Sequence, residues 1–239
     1  MAAKTTTHPD NPPAVLDDLC RCALFADVSF DAVQRDCTTA KIRSFVHGST
    51  IYSQGEHCSD VYCVLGGQIK LARVSQAGDE FTTGLRTTGE LFGALDGTDS
   101  SNAQDTATAK GSVTLWSAPY GEFRNLMLHQ PVFGLHVVEA LARRQRQMER
   151  RLECFALKKT ETRLVETLRE LSGGFEARCE HGFGQHIRLT QQELADLVGA
   201  SRQVTSTILN NLRGKGVLGY NREYVCVRDI DAVERLMSD

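Results

Sequence analysis

The chain holds 239 residues with a formal net charge of −3, 41% hydrophobic and 24% charged residues, ordinary globular usage that excludes collagen-like and wholly disordered chains. Its length exceeds the usual single domain of about 100 to 200 residues, so two modest domains are expected, and no apolar run approaches the roughly 18 residues that span a bilayer. Charge is uneven, with 10 basic and 15 acidic residues in 1–130 against 17 and 15 in 131–239, so a phosphate-binding surface belongs to the second half.

Residues 1–18 carry Lys4, three consecutive threonines, Pro9, Pro12 and Pro13 but no apolar h-region. They read as a flexible arm rather than a secretory signal, which predicts a cytoplasmic protein with no membrane partner. The eight cysteines form no Cys-x-x-Cys pair, and no disulfide framework is expected in that setting.

Residues 19–130 read as an antiparallel β-roll. From about Phe45 to Phe92, glycines recur between short β-rich pieces such as Val61 to Leu65 and Ile69 to Val74, the spacing of a roll, barrel or sandwich. Ile69 and Leu71 alternate with Gln68 and Lys70, as a strand with one buried face requires. Gly66-Gly67 predicts a tight hairpin between two strands. Pro119 and Pro131 bracket a helical segment, and Pro131 suits the first turn of a longer helix over residues 131–158. Within it Val138, Leu141, Gln145, Met148, Leu152 and Phe155 follow spacings of three and four, the seam of a coiled-coil dimer. A helix packed on its own domain is the plainer alternative.

Residues 159–239 read as a separate small domain. Thr160 to Leu171 predicts a helix closed by Gly173-Gly174. Thr190-Gln-Gln-Glu193 is a capping box, and Leu194, Leu197 and Val198 supply a buried stripe behind it. Gly199-Ala200 turns the chain and Ser201 caps a second helix, whose inward stripe is expected at Val204, Ile208 and Leu212. Two short helices joined through a glycine turn make a helix-turn-helix. At about 100° per residue, Arg202, Gln203, Ser206 and Asn210 face away from that stripe, with Thr205 and Thr207 on its flanks. Such a face suits base edges in the major groove of double-stranded DNA, Arg bonding guanine and Gln adenine. The runs Val217-Leu218 and Tyr224 to Val227 add a two-stranded wing, in which Arg222 is a candidate phosphate contact.

Gly48-Ser-Thr-Ile-Tyr-Ser-Gln-Gly55, Val61-Tyr-Cys-Val-Leu-Gly-Gly-Gln-Ile-Lys70, Gly89-Glu-Leu-Phe-Gly93 and the run from Leu189 to Leu212 together resemble the cAMP receptor/fumarate-nitrate regulator family of transcription factors, over roughly residues 20 to 235. The resemblance implies an α+β fold: an N-terminal antiparallel β-roll of the cyclic-nucleotide-binding jelly-roll type, a long dimerisation helix and a C-terminal winged helix-turn-helix. It implies a homodimer on a palindromic operator, RNA polymerase as a partner and a small-molecule effector between roll and dimer helix, expected near Arg86, Glu90, Leu91, Arg144, Gln145 and Met148. Base reading falls on Arg202, Gln203, Ser206 and Thr207, and phosphate contacts on Thr190, Gln192 and Ser201. Gln203 and Thr207 stand where the cAMP receptor pattern has Glu and Arg, and the run after Ser201 is most similar to the carbon-monoxide-sensing haem branch.

In that family a cyclic nucleotide needs a Gly-Glu pair for the ribose and an Arg followed by Ser or Thr for the phosphate. Here Ala94 follows Phe92-Gly93, and Asp105-Thr-Ala-Thr108 aligns with the Arg-Ser/Thr stretch. A carboxylate replaces the cation that would hold the anion, so ordinary cAMP or cGMP binding is not expected. An iron–sulfur cluster needs four thiolates, for which Cys20, Cys22 and Cys37 are candidates with Cys58 or Cys63. For haem, the positions of the branch's axial ligands read Gly93 and Leu95, leaving His47, His57, Cys58, His129 and His136. Haem, a cluster, a thiol switch and effector-free control therefore stay open, with no cofactor the simplest. A cupin-like enzyme would need a His-x-His metal pair, and none occurs, so no enzymatic activity is expected.

Overall fold

The computed structural model describes residues 19, 22–97, 102–172, 185–220, 225–228, 232 and 235. They cluster into two compact units: one holds the described residues up to Glu80 and from Gly84 to Arg146, the other Phe81–Thr83 and the described residues from Gln147 onward.

In the first unit a 3-10 turn (Ala23–Phe25) and helix α1 (Phe30–Asp36) precede the sheet; the Ser29 hydroxyl caps α1 by accepting from the Ala32 N–H. Strands β1 (Lys41–Phe45), β2 (Thr50–Tyr52), β3 (Asp60–Val74), β4 (Glu80–Arg86), β5 (Leu91–Gly93) and β6 (Thr106–Pro119) follow. They form one sheet ordered β1-β6-β3-β4, with β2 added on β6 and β5 on β3. The two long strands carry the roll: β6 pairs β2 at its start, Thr50 opposite Thr108, and β1 further on, Phe45 opposite Val113. Two apolar clusters result, one around Phe25, Trp116, Phe123 and Phe133, the other around Tyr52, Ile69, Phe92 and Leu115.

Gly66-Gly67 is not a hairpin. The pieces on either side of it belong to the single strand β3, and the glycines form a bulge where the register on β6 shifts between Val64 and Gly66 and again between Gly66 and Gln68. A glycine pair signals a backbone that must leave the ordinary strand conformation, and a bulge needs that as much as a turn does.

Helix α2 (Tyr120–His129) and helix α3 (Pro131–Leu157) as far as Arg146 close the unit, α3 starting at Pro131 as expected. Phe133 and Val137 are buried in the first cluster, with the Phe133 ring 5.2 Å from Phe25. His136 Nδ1 lies 3.2 Å from the Leu24 carbonyl.

The second unit contains α4 (Thr160–Ser172), β7 (Gln185–Ile187), α5 (Gln191–Val198), α6 (Arg202–Gly214), β8 (Leu218–Tyr220) and β9 (Val225–Val227). The strands pair antiparallel in the order β7-β9-β8, Val227 lying opposite both Gln185 and Leu218. Strand β7 had no counterpart in the sequence reading, while Gly173-Gly174 and Arg222 lie outside the described residues. The buried stripe of α6 is Thr205, Ile208, Leu209 and Leu212, and Val204 is 45% exposed. The arc is rotated by one residue from the expected one, because Leu209 rather than Val204 completes the face that meets α5. Cys226 on β9 is disulfide-bonded, where no disulfide framework was expected, since a bridge set by tertiary approach leaves no trace in cysteine spacing. Cys22, Cys37, Cys58, Cys63 and Cys154 are free. No helix among the described residues is long and apolar enough to cross a membrane.

Candidate nucleic-acid interface and effector cavity

Helix α5 begins with a closed capping box: the Glu193 N–H donates to Thr190 Oγ1 at 3.2 Å and the Thr190 N–H donates to Glu193 Oε2 at 2.9 Å. Thr190→Ala is therefore expected to cost about 1 kcal/mol of stability, read as a lower urea midpoint; an unchanged midpoint would show the cap to be idle. Gly199 ends α5 in the left-handed conformation, with φ +62°, and a Cβ there would lie 2.5 Å from Phe155 Cε1. Glycine lets the turn sit directly on that ring. Arg163 fixes the turn from α4, donating to the Val198 carbonyl at 2.9 Å and to the Gly199 carbonyl at 3.2 Å, with its guanidinium 5.4 Å over the Phe155 ring. Sequence reading missed Arg163, whose carbonyl partners stand 35 and 36 residues further along the chain and leave no local motif.

Helix α6 starts at Ser201, whose hydroxyl accepts from the Val204 N–H at 3.3 Å. Arg202 and Gln203 are exposed in its first turn, Ser206 is half-buried, and Thr207 and Asn210 are exposed further along. The Thr207 hydroxyl donates to the Gln203 carbonyl. Asn210 Oδ1 accepts from the Tyr220 hydroxyl at 2.6 Å, and Arg213 lies 5.0 Å over the Tyr220 ring; these two side chains brace α6 against β8. Gln192 is exposed and its Nε2 donates to Asp196 Oδ1. Arg202, Gln203 and Ser206 thus share one outward face at the positively polarised start of a helix, chemistry suited to hydrogen-bond acceptors.

Along α3, Val138, Leu141, Met148, Leu152 and Phe155 are between 40% and 66% exposed, Gln145 is exposed among them, and Leu135 extends the stripe. Arg151 pairs with Glu170, and Lys158 with Glu166, tying the end of this helix to α4.

A partly open cavity of about 230 Å³ lies against the roll, and its lining includes Tyr52, Phe92, Ala94, Asp96, Asp105 and, from α3, Arg144. The Tyr52 hydroxyl donates to Asp105 Oδ1 at 3.0 Å. Burial first, and then the charge of Asp105, push the Tyr52 phenol well above its ordinary range, so it stays a neutral donor. Of the residues expected at an effector site, Arg144 lines this cavity. The other five stand elsewhere: Leu91 is buried in the core, Arg86 Nη1 donates to the Leu85 carbonyl, Glu90 accepts from the Thr87 N–H and hydroxyl, and Gln145 and Met148 lie on the exposed face of α3.

Two of the described cysteines considered for a cluster meet, and a third stands apart from them. The Cys22 and Cys63 sulfurs lie 3.8 Å apart, Cys37 Sγ reaches the Glu122 carbonyl, and Cys20 lies outside the described residues. Burial pushes the Cys37 thiol up to about 12. Among the described residues no group of three or more His, Cys, Asp or Glu is placed to hold a metal ion.

Residues 42–130 match the model of the cyclic nucleotide-binding domain and residues 162–236 that of the Crp-like helix-turn-helix domain, more than half of the chain together. The global nitrogen regulator of Nostoc sp. is 29% identical over 189 residues, 78% of this chain and 84% of that protein. The cyclic AMP receptor protein of Thermus thermophilus is 27% identical over 194 residues, 81% of this chain and 87% of that protein. In fold, the c-di-GMP responsive global regulator CLP of Xanthomonas campestris matches with a TM-score of 0.68 at 22% identity, covering 84% of this chain and 100% of that one. The roll and the helix-turn-helix are thus the two domains of a DNA-binding transcription regulator, and the chain belongs to the CRP/FNR family.

Proposed function

We propose that this regulator acts as a homodimer paired along α3 on a palindromic operator, and that its roll answers to an effector other than a cyclic nucleotide. Asp105 carries the second part: it lines the cavity at the position where the family's cyclic-nucleotide binders need a cation, while Ala94 replaces the ribose-binding Glu. A cyclic phosphate would meet a carboxylate there. In this reading residues 1–18 are an arm, 19–130 the sensor, 131–158 the dimer helix and 159–239 the DNA-binding domain of a cytoplasmic protein. Arg202, Gln203, Ser206 and Thr207 read bases, Thr190, Gln192, Ser201 and Arg222 hold phosphates, and Asn210 supports the wing. Effector occupancy shifts the population of dimers whose recognition helices match the operator, and the bound dimer engages RNA polymerase. The likeness of α6 to the carbon-monoxide-sensing branch concerns the operator rather than haem, because Gly93 and Leu95 carry no ligating side chain.

Selection from a random duplex pool is expected to return a palindrome with half-sites about one helical turn apart; a single asymmetric site would refute the dimer reading. On that operator Arg202→Ala is expected to cost about 1 to 3 kcal/mol and to relax preference at one base pair. An equal loss on random DNA would make Arg202 a phosphate contact instead. A large, saturable thermal stabilisation by cAMP would overturn the effector reading.

A further inference from the structure

We infer that the roll cavity takes a small zwitterion, an α-amino acid, with its carboxylate on Arg144 and its ammonium group toward Asp105. This rests on the reading above that the cavity is an effector site closed to cyclic nucleotides.

Arg144 reaches the cavity from α3 and is half-buried. It makes no hydrogen bond or ion pair with another described residue. A guanidinium at a cavity wall presents two parallel donors that match a carboxylate. Alone it would accept a phosphate or a dicarboxylate equally well. The rest of the described lining decides against both: Asp105 stands in it beside Asp96, which already has a partner of its own, so a second anionic group would face the like charge of Asp105. A ligand that answers both signs carries one anionic and one cationic group.

Asp105 is fixed for this purpose, since the Tyr52 hydroxyl holds its Oδ1 at 3.0 Å. Phe92, stacked on Tyr62 with ring centroids 5.0 Å apart, and Leu71 supply apolar wall against which an aliphatic or aromatic side chain would lie. The cavity of about 230 Å³ equals the liquid volume of about eight waters, room for an amino acid of moderate size. The loop segments after β5 and before β6 contribute the carboxylates and the helix the guanidinium, so such a ligand would bridge the roll and α3. That gives its occupancy a route to the dimer helix.

The purified full-length protein is to be screened by thermal shift and calorimetry against the proteinogenic L-amino acids singly at millimolar concentration, with cAMP, c-di-GMP and succinate as comparison probes. One or a few apolar amino acids are expected to bind saturably, and their methyl esters and N-acetyl derivatives, each lacking one charge, are expected not to. Arg144→Ala and Asp105→Asn are each expected to weaken binding at least about tenfold. The melting temperature of each unliganded variant checks the fold, and Arg144, half-buried on a helix, keeps the test sound if loss of the Tyr52 bond unsettles the Asp105 variant. The inference is overturned if no amino acid binds, if succinate or a nucleotide binds in their place, if the ester or N-acetyl form binds equally well, or if both variants bind unchanged. Operator binding is measured on the same samples. Protein that binds operator and ignores amino acids sinks this inference alone, whereas protein that binds no DNA sinks the earlier reading whatever the cavity holds.

Discussion

Gly67→Ala is expected to destabilise the roll by about 3 kcal/mol, the sum of a left-handed conformation forced on a residue with a side chain and an overpacked contact. Gly67 sits at φ +83°, and an added Cβ would lie 2.2 Å from the Ser112 carbonyl oxygen and 2.9 Å from Val113 Cα. Both neighbours are backbone of β6, so neither can swing away; relief requires β3 and β6 to part at the bulge. Its neighbour Gly66 has nothing within 4 Å of an added Cβ and no positive φ, so Gly66→Ala is expected to cost less than about 1 kcal/mol. Trp116, the single tryptophan, is 2% exposed in the roll core and packs edge-on to Phe25. Its fluorescence during urea unfolding therefore follows this unit. Equal midpoints for the two variants would contradict the bulge as described.

The same glycine pair marks what a sequence can and cannot tell. Gly66-Gly67 announces a special backbone, yet whether β3 turns or bulges there depends on Ser112 and Val113 lying across the sheet, which no local window contains. Signals confined to one turn or one helix face translate directly. The capping box at Thr190, the Ser201 cap, the start of α3 at Pro131 and the exposed stripe along α3 all depend on neighbours within a few residues. The stripe of α6 failed by one position because Leu209 and Val204 are alike in hydropathy, and only the placement of α5 chooses between them. Strand β7 is three residues long and pairs with β9 about 40 residues later in the chain, too little for a periodicity to register. The cavity lies between these cases. Asp105 and Ala94 were legible by likeness to a family pattern, whereas Tyr52, Asp96 and Phe92 come from separate segments and converge only in the folded roll.

Replacing Leu141 and Leu152 together by glutamate is expected to leave the protein monomeric and to weaken operator binding by about 10² to 10⁴-fold, because two linked recognition helices on one operator act bivalently and a single one does not. Both leucines are largely exposed on α3, at 40% and 66%, so the exchange opens no cavity and the helix keeps its other contacts. Among the described residues nothing covers the apolar stripe from Leu135 to Phe155 on a helix otherwise studded with Arg143, Arg146, Glu149 and Arg150. A second copy would, since each leucine buried in a shared seam contributes about 1.5 to 3 kcal/mol and is counted once from each protomer. Glutamate reverses the term and sets like charges across the seam. Phe155 is left in place because it also carries Gly199 and Arg163, so changing it would disturb the helix-turn-helix and confuse the result. Arg143→Ala, which removes an exposed i,i+4 partner of Glu139, is the matched control and is expected to change neither mass nor affinity beyond a few tenths of a kcal/mol. Sedimentation equilibrium and operator titration on the same samples separate the cases: loss of the dimer with unchanged operator affinity would mean that one winged helix suffices for recognition, and a retained dimer would place the contact surface elsewhere than along α3.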